Sequence, residues 1–181
     1  MKPIDRFCKT ALQYTHWCSS PPENAAEEAQ TALQLLQTLQ QQAEWLRLPT
    51  DFDETLGGKR PDQEAWLAVY QRAAALPFQY YQELVDSKKS GKRGRAQASK
   101  RSKAKAPAAT SSGEKEFSGD LSDDVADVFR DLSEGLSLYT KGHLAEAEWS
   151  LRFSYDSHWG KHAREACKVL VSWLASNQAR P

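Results

Sequence analysis

The sequence predicts an all-α protein, an up-and-down bundle of about five helices with a long disordered basic linker. Three observations carry this. Apolar residues recur at helical spacing in one segment after another, and no useful stretch alternates with the period of two expected of a strand. Residues 87–113 hold nine Lys and Arg, no acid, and almost nothing apolar beyond alanine. Finally, 40 % of the 181 residues are apolar and Trp, Tyr and Phe occur six times each, enough to build a core.

Taken in order, Ile4, Phe7, Cys8, Leu12 and Thr15 predict a first helix over Ile4–Cys18. "SSPPEN" predicts the start of a second, with Ser20 as cap, Pro21 in the first turn and Glu23 at the capping-box position. This helix runs to about Leu46 on a stripe of Ala29, Ala32, Leu36, Leu39, Ala43 and Leu46. The Pro- and Gly-rich run "RLPTDFDETLGGKRPD" reads as a loop. A third helix begins near Pro61 or Asp62 and carries Trp66, Val69, Tyr70, Ala73 and Leu76, and "PFQYYQELVDS" reads as a short further helix. Residues 1–86 thus form an N-terminal helical part, 87–118 a linker, and 119–176 a C-terminal helical hairpin packed on the first part.

In that hairpin Ser122 is expected to cap a helix whose buried stripe is Val125, Val128, Phe129, Leu132, Leu136 and Tyr139, with Gly142 as its stop. From Leu144 to Trp173 two apolar stripes share one helix: Leu144, Leu151, Tyr155, Val169 and Trp173 on one side, Trp149, Phe153, Cys167, Val171 and Leu174 on the other. A helix apolar on two sides is expected to be central. Counting outward from Gly142 sets Gly135 opposite Trp149, so the indole is expected to cover the missing side chain. The same count brings Arg152 near Asp131, an ion-pair or anion-binding cluster. Gly160 implies a close helix approach.

The chemistry-bearing stretch is "SYDSHWGKHAREA", where His158 and His162 stand four residues apart on an apolar stripe. That spacing puts both imidazoles on one helix face, close enough to share a metal ion. The hairpin count sets Asp127 level with His158 and Asp124 level with His162, which makes His158, His162, Asp124 and Asp127 the candidate metal or acid–base residues. The first expectation for the pair is hydrogen bonding within the core, with pH sensing a third reading. A divalent metal is the one cofactor the residues suggest. No GxSxG, phosphate-cradling glycine loop or HExxH motif is present.

Zero net charge conceals an asymmetry, since outside 87–113 there remain 15 basic against 24 acidic residues. The basic linker suggests phosphate-backbone contacts with nucleic acid or a tether lying on the acidic body. Cys8, Cys18 and Cys167 are odd in number and form no CxxC pair, so a reducing cytoplasm is expected. No apolar run is long enough to span a membrane.

"LPFQYYQELVD", "LSDDVADVFRDLSEGLSLY" and "EWSLRFSYDSHWGKHAREACKVL" together resemble the bacterial family called domain of unknown function 5063, most specifically between Arg152 and Ala163. The resemblance implies an all-α domain and supplies no catalytic residues. The long basic insert between the matching blocks departs from the family's pattern. With no catalytic signature, the expected function is protein binding as a small cytoplasmic adaptor-type module, and the alternative is a metal-dependent enzyme.

Overall fold

In the computed structural model the described residues are 1–74, 76, 80–81 and 119–178. Helix α1 (Pro3–Ser19) buries Ile4, Phe7, Cys8, Ala11, Tyr14, Trp17 and Cys18. Leu12, expected on that face, is instead 46 % exposed and Thr15 is only partly buried. Tyr14 and Trp17 offer far more apolar surface than Leu12, and the helix turns to bury them.

The second helix starts later than expected. Pro22 disfavours a helical conformation at Pro21, so Ser20 closes α1, its N–H donating to Trp17 O at 3.2 Å. Asn24 is the true cap, accepting from Ala26 N–H at 2.8 Å, and α2 spans Ala25–Ala43. Its stripe of Ala29, Ala32, Leu36, Leu39, Ala43 and the following Leu46 is buried as predicted. Glu23 makes no capping box; its N–H donates to the Glu28 carboxylate at 3.0 Å.

Residues 47–62 form a loop strapped across the C-terminal hairpin. The backbone N–H groups of Arg47, Asp53 and Lys59 donate to Glu148, Glu146 and Ser137 at 3.0, 3.0 and 2.6 Å. Asp62 then caps α3 (Gln63–Ala73), accepting from Ala65 N–H at 2.9 Å. The stretch expected as a short helix after Pro77 lies mostly outside the described residues. Its two described members form strand β1 (Tyr80–Tyr81), paired antiparallel with β2 (Gly119–Asp120). Backbone groups committed to that bridge are lost to a helix. The linker 87–118, with its expected nucleic-acid contacts, lies outside the described residues.

Helix α4 (Leu121–Thr140) follows β2 directly, and its cap is Asp120, not Ser122: the Asp120 carboxylate accepts from Ser122 N–H at 2.8 Å. Gly142 ends the turn after it with φ +87°, a conformation that costs glycine little. The chain returns as α5 (Leu144–Ser154), a π turn (Tyr155–Trp159) and α6 (Gly160–Gln178), one uninterrupted rod. The described residues therefore make an all-α bundle of five helical rods.

The central rod is α4, in contact with α1, α3, α5 and α6, whereas the sequence pointed to the C-terminal one. Two members of the proposed second stripe, Phe153 and Val171, are 51 % and 48 % exposed. The π turn explains the error: a wider turn shifts the phase of every later residue, and a count at 100° per residue runs false across it. One core joins all rods, with Phe7, Tyr14, Leu36, Leu132, Leu151, Trp159 and Leu170 at its centre. Two polar groups at its centre are paired: Tyr14 O–H donates to Val125 O at 3.0 Å, and Trp159 Nε1–H to Leu151 O at 3.3 Å.

At one edge α1, α2 and α3 are joined by a buried ion pair. Arg72 meets the Glu28 carboxylate, donates from Nε to Ser20 O at 2.8 Å, and lies 4.2 Å from the Trp17 ring centre. Trp17 Nε1–H also donates to Glu28, at 2.8 Å.

Two close approaches differ from the expected ones. A side chain at Gly135 would overlap Leu151, so the leucine, not Trp149, covers it. The hairpin turns about His143 instead of Gly142, which moves each facing pair along. A side chain at Gly160 would overlap the Tyr155 carbonyl and ring, so this glycine makes room for the π turn itself, not for another helix.

Candidate metal centre

Asp124, Asp127 and Asp131 fall three and four residues apart on α4 and therefore share one face. That face meets His158, in the π turn, and His162, in the first turn of α6. The antiparallel run of the two rods sets His162 level with Asp124, His158 level with Asp131, and Asp127 between the two rings.

The hydrogen bonds separate these residues into two roles. His162 Nδ1 lies 2.7 Å from Asp124 Oδ1, and His158 Nδ1 lies 2.8 Å from Asp131 Oδ2. A carboxylate can only accept, so each Nδ1 carries the proton and, in the neutral ring, each Nε2 keeps its lone pair. Both Nε2 atoms face Asp127 Oδ2, at 3.9 Å from His158 and 3.7 Å from His162. One ligand atom from each of these three residues lies within 4.8 Å of the others, the only such group among the described residues.

Asp127 is held for this arrangement through its other oxygen. Oδ1 accepts from Trp66 Nε1–H at 3.1 Å and forms an ion pair with Arg130 at 2.9 Å, which leaves Oδ2 toward the histidines. Neither Trp66 nor Arg130 was singled out from the sequence as part of a site. The available signal was Trp66 itself, because a half-buried indole N–H needs an acceptor.

Electrostatics at the site favours positive charge. Asp124, Asp127 and Asp131 are all buried, and Arg130 pairs with Asp127 and lies 3.9 Å from Asp131. The Asp123 carboxyl is pushed above its ordinary value by burial and by the charges of Asp127 and Asp124. The hydrogen bond that His162 donates to Asp124 draws its imidazole above the ordinary value, with burial opposing. The histidine side chains remain 40 % and 21 % exposed, so the site opens to solvent.

Of the residues expected from the sequence, His158, His162 and Asp127 are brought together as facing atoms, while Asp124 stands behind His162. The expected match of Asp127 with His158 by level becomes Asp131 with His158, one turn along α4. The Arg152–Asp131 cluster does not form. Arg152 donates to Asp156 at 2.8 Å and to Ala43 O at 3.1 Å, and lies 3.9 Å from Glu44, because the shift of the hairpin centre carries it to the α2 side.

The fold and site together define a helical bundle with a two-histidine, one-carboxylate cluster between α4 and the C-terminal rod. Residues 105–176 match the model of the family described as Domain of unknown function (DUF5063), the family the sequence resembles. Every residue of the cluster lies inside that match. Among solved structures, the crystal structure of protein BF1032 from Bacteroides fragilis is similar, with a TM-score of 0.68 over 96 % of each chain at 14 % identity. At that identity the likeness concerns the fold. No curated protein matches the sequence. No described helix is long and apolar enough to cross a membrane.

Proposed function

We propose that the protein is a divalent-metal protein whose ion is held by Asp127 Oδ2, His158 Nε2 and His162 Nε2. The carrying observation is the convergence of these atoms with no proton between them when the rings are neutral: two nitrogen lone pairs and a carboxylate oxygen face one another at 3.7 and 3.9 Å, too far for hydrogen bonds. With both rings neutral such a group is repulsive, and either a cation between the atoms or a proton on one Nε2 relieves it. Zinc bonds of about 2.0–2.2 Å place tetrahedral ligand atoms roughly 3.3–3.5 Å apart, so small inward movements of the rings suffice.

The surrounding residues support the same reading. Imidazoles that bind metal donate their other N–H to a carboxylate, the part played by Asp124 and Asp131. Hydrogen bonding within the core, the first expectation from the sequence, accounts for both Nδ1 atoms and leaves both Nε2 atoms unexplained. It also offers no reason for so many acids on one helix face. This geometry ranks the metal reading above the protein-binding role.

Three protein ligands at a partly exposed surface leave coordination positions for water or substrate, the open type of site that serves catalysis. The set suits zinc in hydrolysis or iron(II) in oxidation, and a bound zinc would polarise a carbonyl or phosphoryl oxygen or activate water. The test uses untagged protein freed of metal by a chelator and titrated with Zn²⁺ and Co²⁺. Stoichiometric uptake and a rise in melting temperature are expected, both lost in His158→Ala, His162→Ala and Asp127→Asn. Absence of uptake by the parent protein, or equal uptake by the folded Asp127→Asn variant, would sink the proposal.

A further inference from the structure

Beside His158, between α4 and α5, lies a cleft of about 340 Å³ lined by two arginines, Arg60 and Arg130, two acids, Asp131 and Glu134, and by Trp149, Phe153 and His158 among others. Its size falls at the lower end of clefts that hold small molecules, roughly 300–1,000 Å³.

One wall is a ladder of rings. Phe52 stacks on Trp149 at 4.9 Å and Trp149 on Phe153 at 4.8 Å with only 6° between the planes. The ladder ends at Phe153, half exposed, with no further ring among the described residues to continue it. Across from it, Arg60 comes from the strap loop and is 65 % exposed. Its Nε is bound by Glu134, and its two terminal nitrogens have no hydrogen-bond partner among the described residues. Glu134 is thereby neutralised, and Arg130 is turned to Asp127. With Asp131 held by His158 Nδ1, the unsatisfied chemistry in the cleft is an open aromatic face and a guanidinium fork, and of the three proposed ligands His158 is the one that reaches its lining.

Resting on the metal reading, we propose that this cleft is the substrate site of the centre and takes a small organic anion bearing a flat ring. The ring extends the ladder on Phe153. The anionic group, a phosphate or carboxylate, lies between Arg60 and the ion. Aromatic stacking and charge-assisted pairing each have their partner in place, and neither half of such a ligand alone satisfies both.

The test is calorimetry on the full chain loaded with zinc, using phenylphosphate as probe, with inorganic phosphate and phenol as its two halves. Phenylphosphate is expected to bind at least about tenfold more tightly than either half. Phe153→Ala, Phe153→Leu and Arg60→Ala should each weaken it by about tenfold while leaving zinc stoichiometry unchanged. Phenylphosphate binding no better than phosphate, or indifferent to these substitutions while zinc stays bound, overturns this inference and leaves the metal reading intact. Protein that takes up no zinc but binds phenylphosphate through Phe153 and Arg60 overturns the metal reading and supports the cleft alone.

Discussion

Asp124, Asp127 and Asp131 are the same side chain on one helix face, and their hydrogen bonds give them different chemistry. Asp124 and Asp131 each engage an imidazole Nδ1, whereas Asp127 is braced by Trp66 and Arg130 through one oxygen and offers the other. Asp124→Asn and Asp131→Asn should therefore weaken zinc binding by about 10–100-fold, the usual effect of losing an outer carboxylate. Asp127→Asn should abolish it. Competition with a chromophoric chelator measures both, and equal losses in Asp124→Asn and Asp127→Asn would return Asp124 to the ligand role its spacing first suggested. The residue types were legible in the sequence, but their division of roles was not, because it depends on which oxygen faces which ring.

Among the elements, the π turn governs the site. Gly160 N–H reaches back to Tyr155 O, the five-residue bond that defines the turn, and the missing side chain allows that carbonyl its place. Gly160→Ala should cost about 1–3 kcal/mol, the usual penalty of overpacking. It should also weaken zinc binding, since His158 lies within the turn, and thermal melts with and without zinc separate the two effects. A melting temperature unchanged in both conditions would show that the turn is not constrained there. Arg72 tests a different element contact: Arg72→Ala leaves Glu28 buried without its cation and should destabilise by about 3–5 kcal/mol. Urea denaturation measures this, and a loss under about 1 kcal/mol would mean the pair contributes little. The stripe of α2 was readable because burial in a straight helix follows its period. The α5–α6 rod was misread because the period changes inside it.

Across the whole molecule, the three thiols report how tightly the rods close. All are buried, burial raising Cys8 from the ordinary 9.0 to about 12 and Cys167 to about 11, and pushing Cys18 higher still. At pH 8 even Cys167 is ionised to roughly one part in a thousand, so a thiol reagent should react only after denaturant is added. The linkage has a definite sign. Above pH 9 the unfolded chain releases these protons while the folded one keeps them, so stability should fall as pH rises from about 9 toward 11–12. Rapid labelling of the native protein at pH 8, or melting temperatures that climb above pH 9, would contradict this closure.

The amino-acid sequence by itself determined the all-α class, the start of α3 near Asp62, the glycine stop of the hairpin, and the histidine pair on one face. Each depends on residues close in the chain, where spacing and turn chemistry act directly. Only the tertiary structure decided that α4 is the central rod, that Asp127 faces both histidines, and that Trp66 and Arg60 come from elsewhere to complete the site and its cleft. Those outcomes turn on the hairpin's centre and on one wide turn, which shift distant partners by whole residues while leaving the local pattern unchanged.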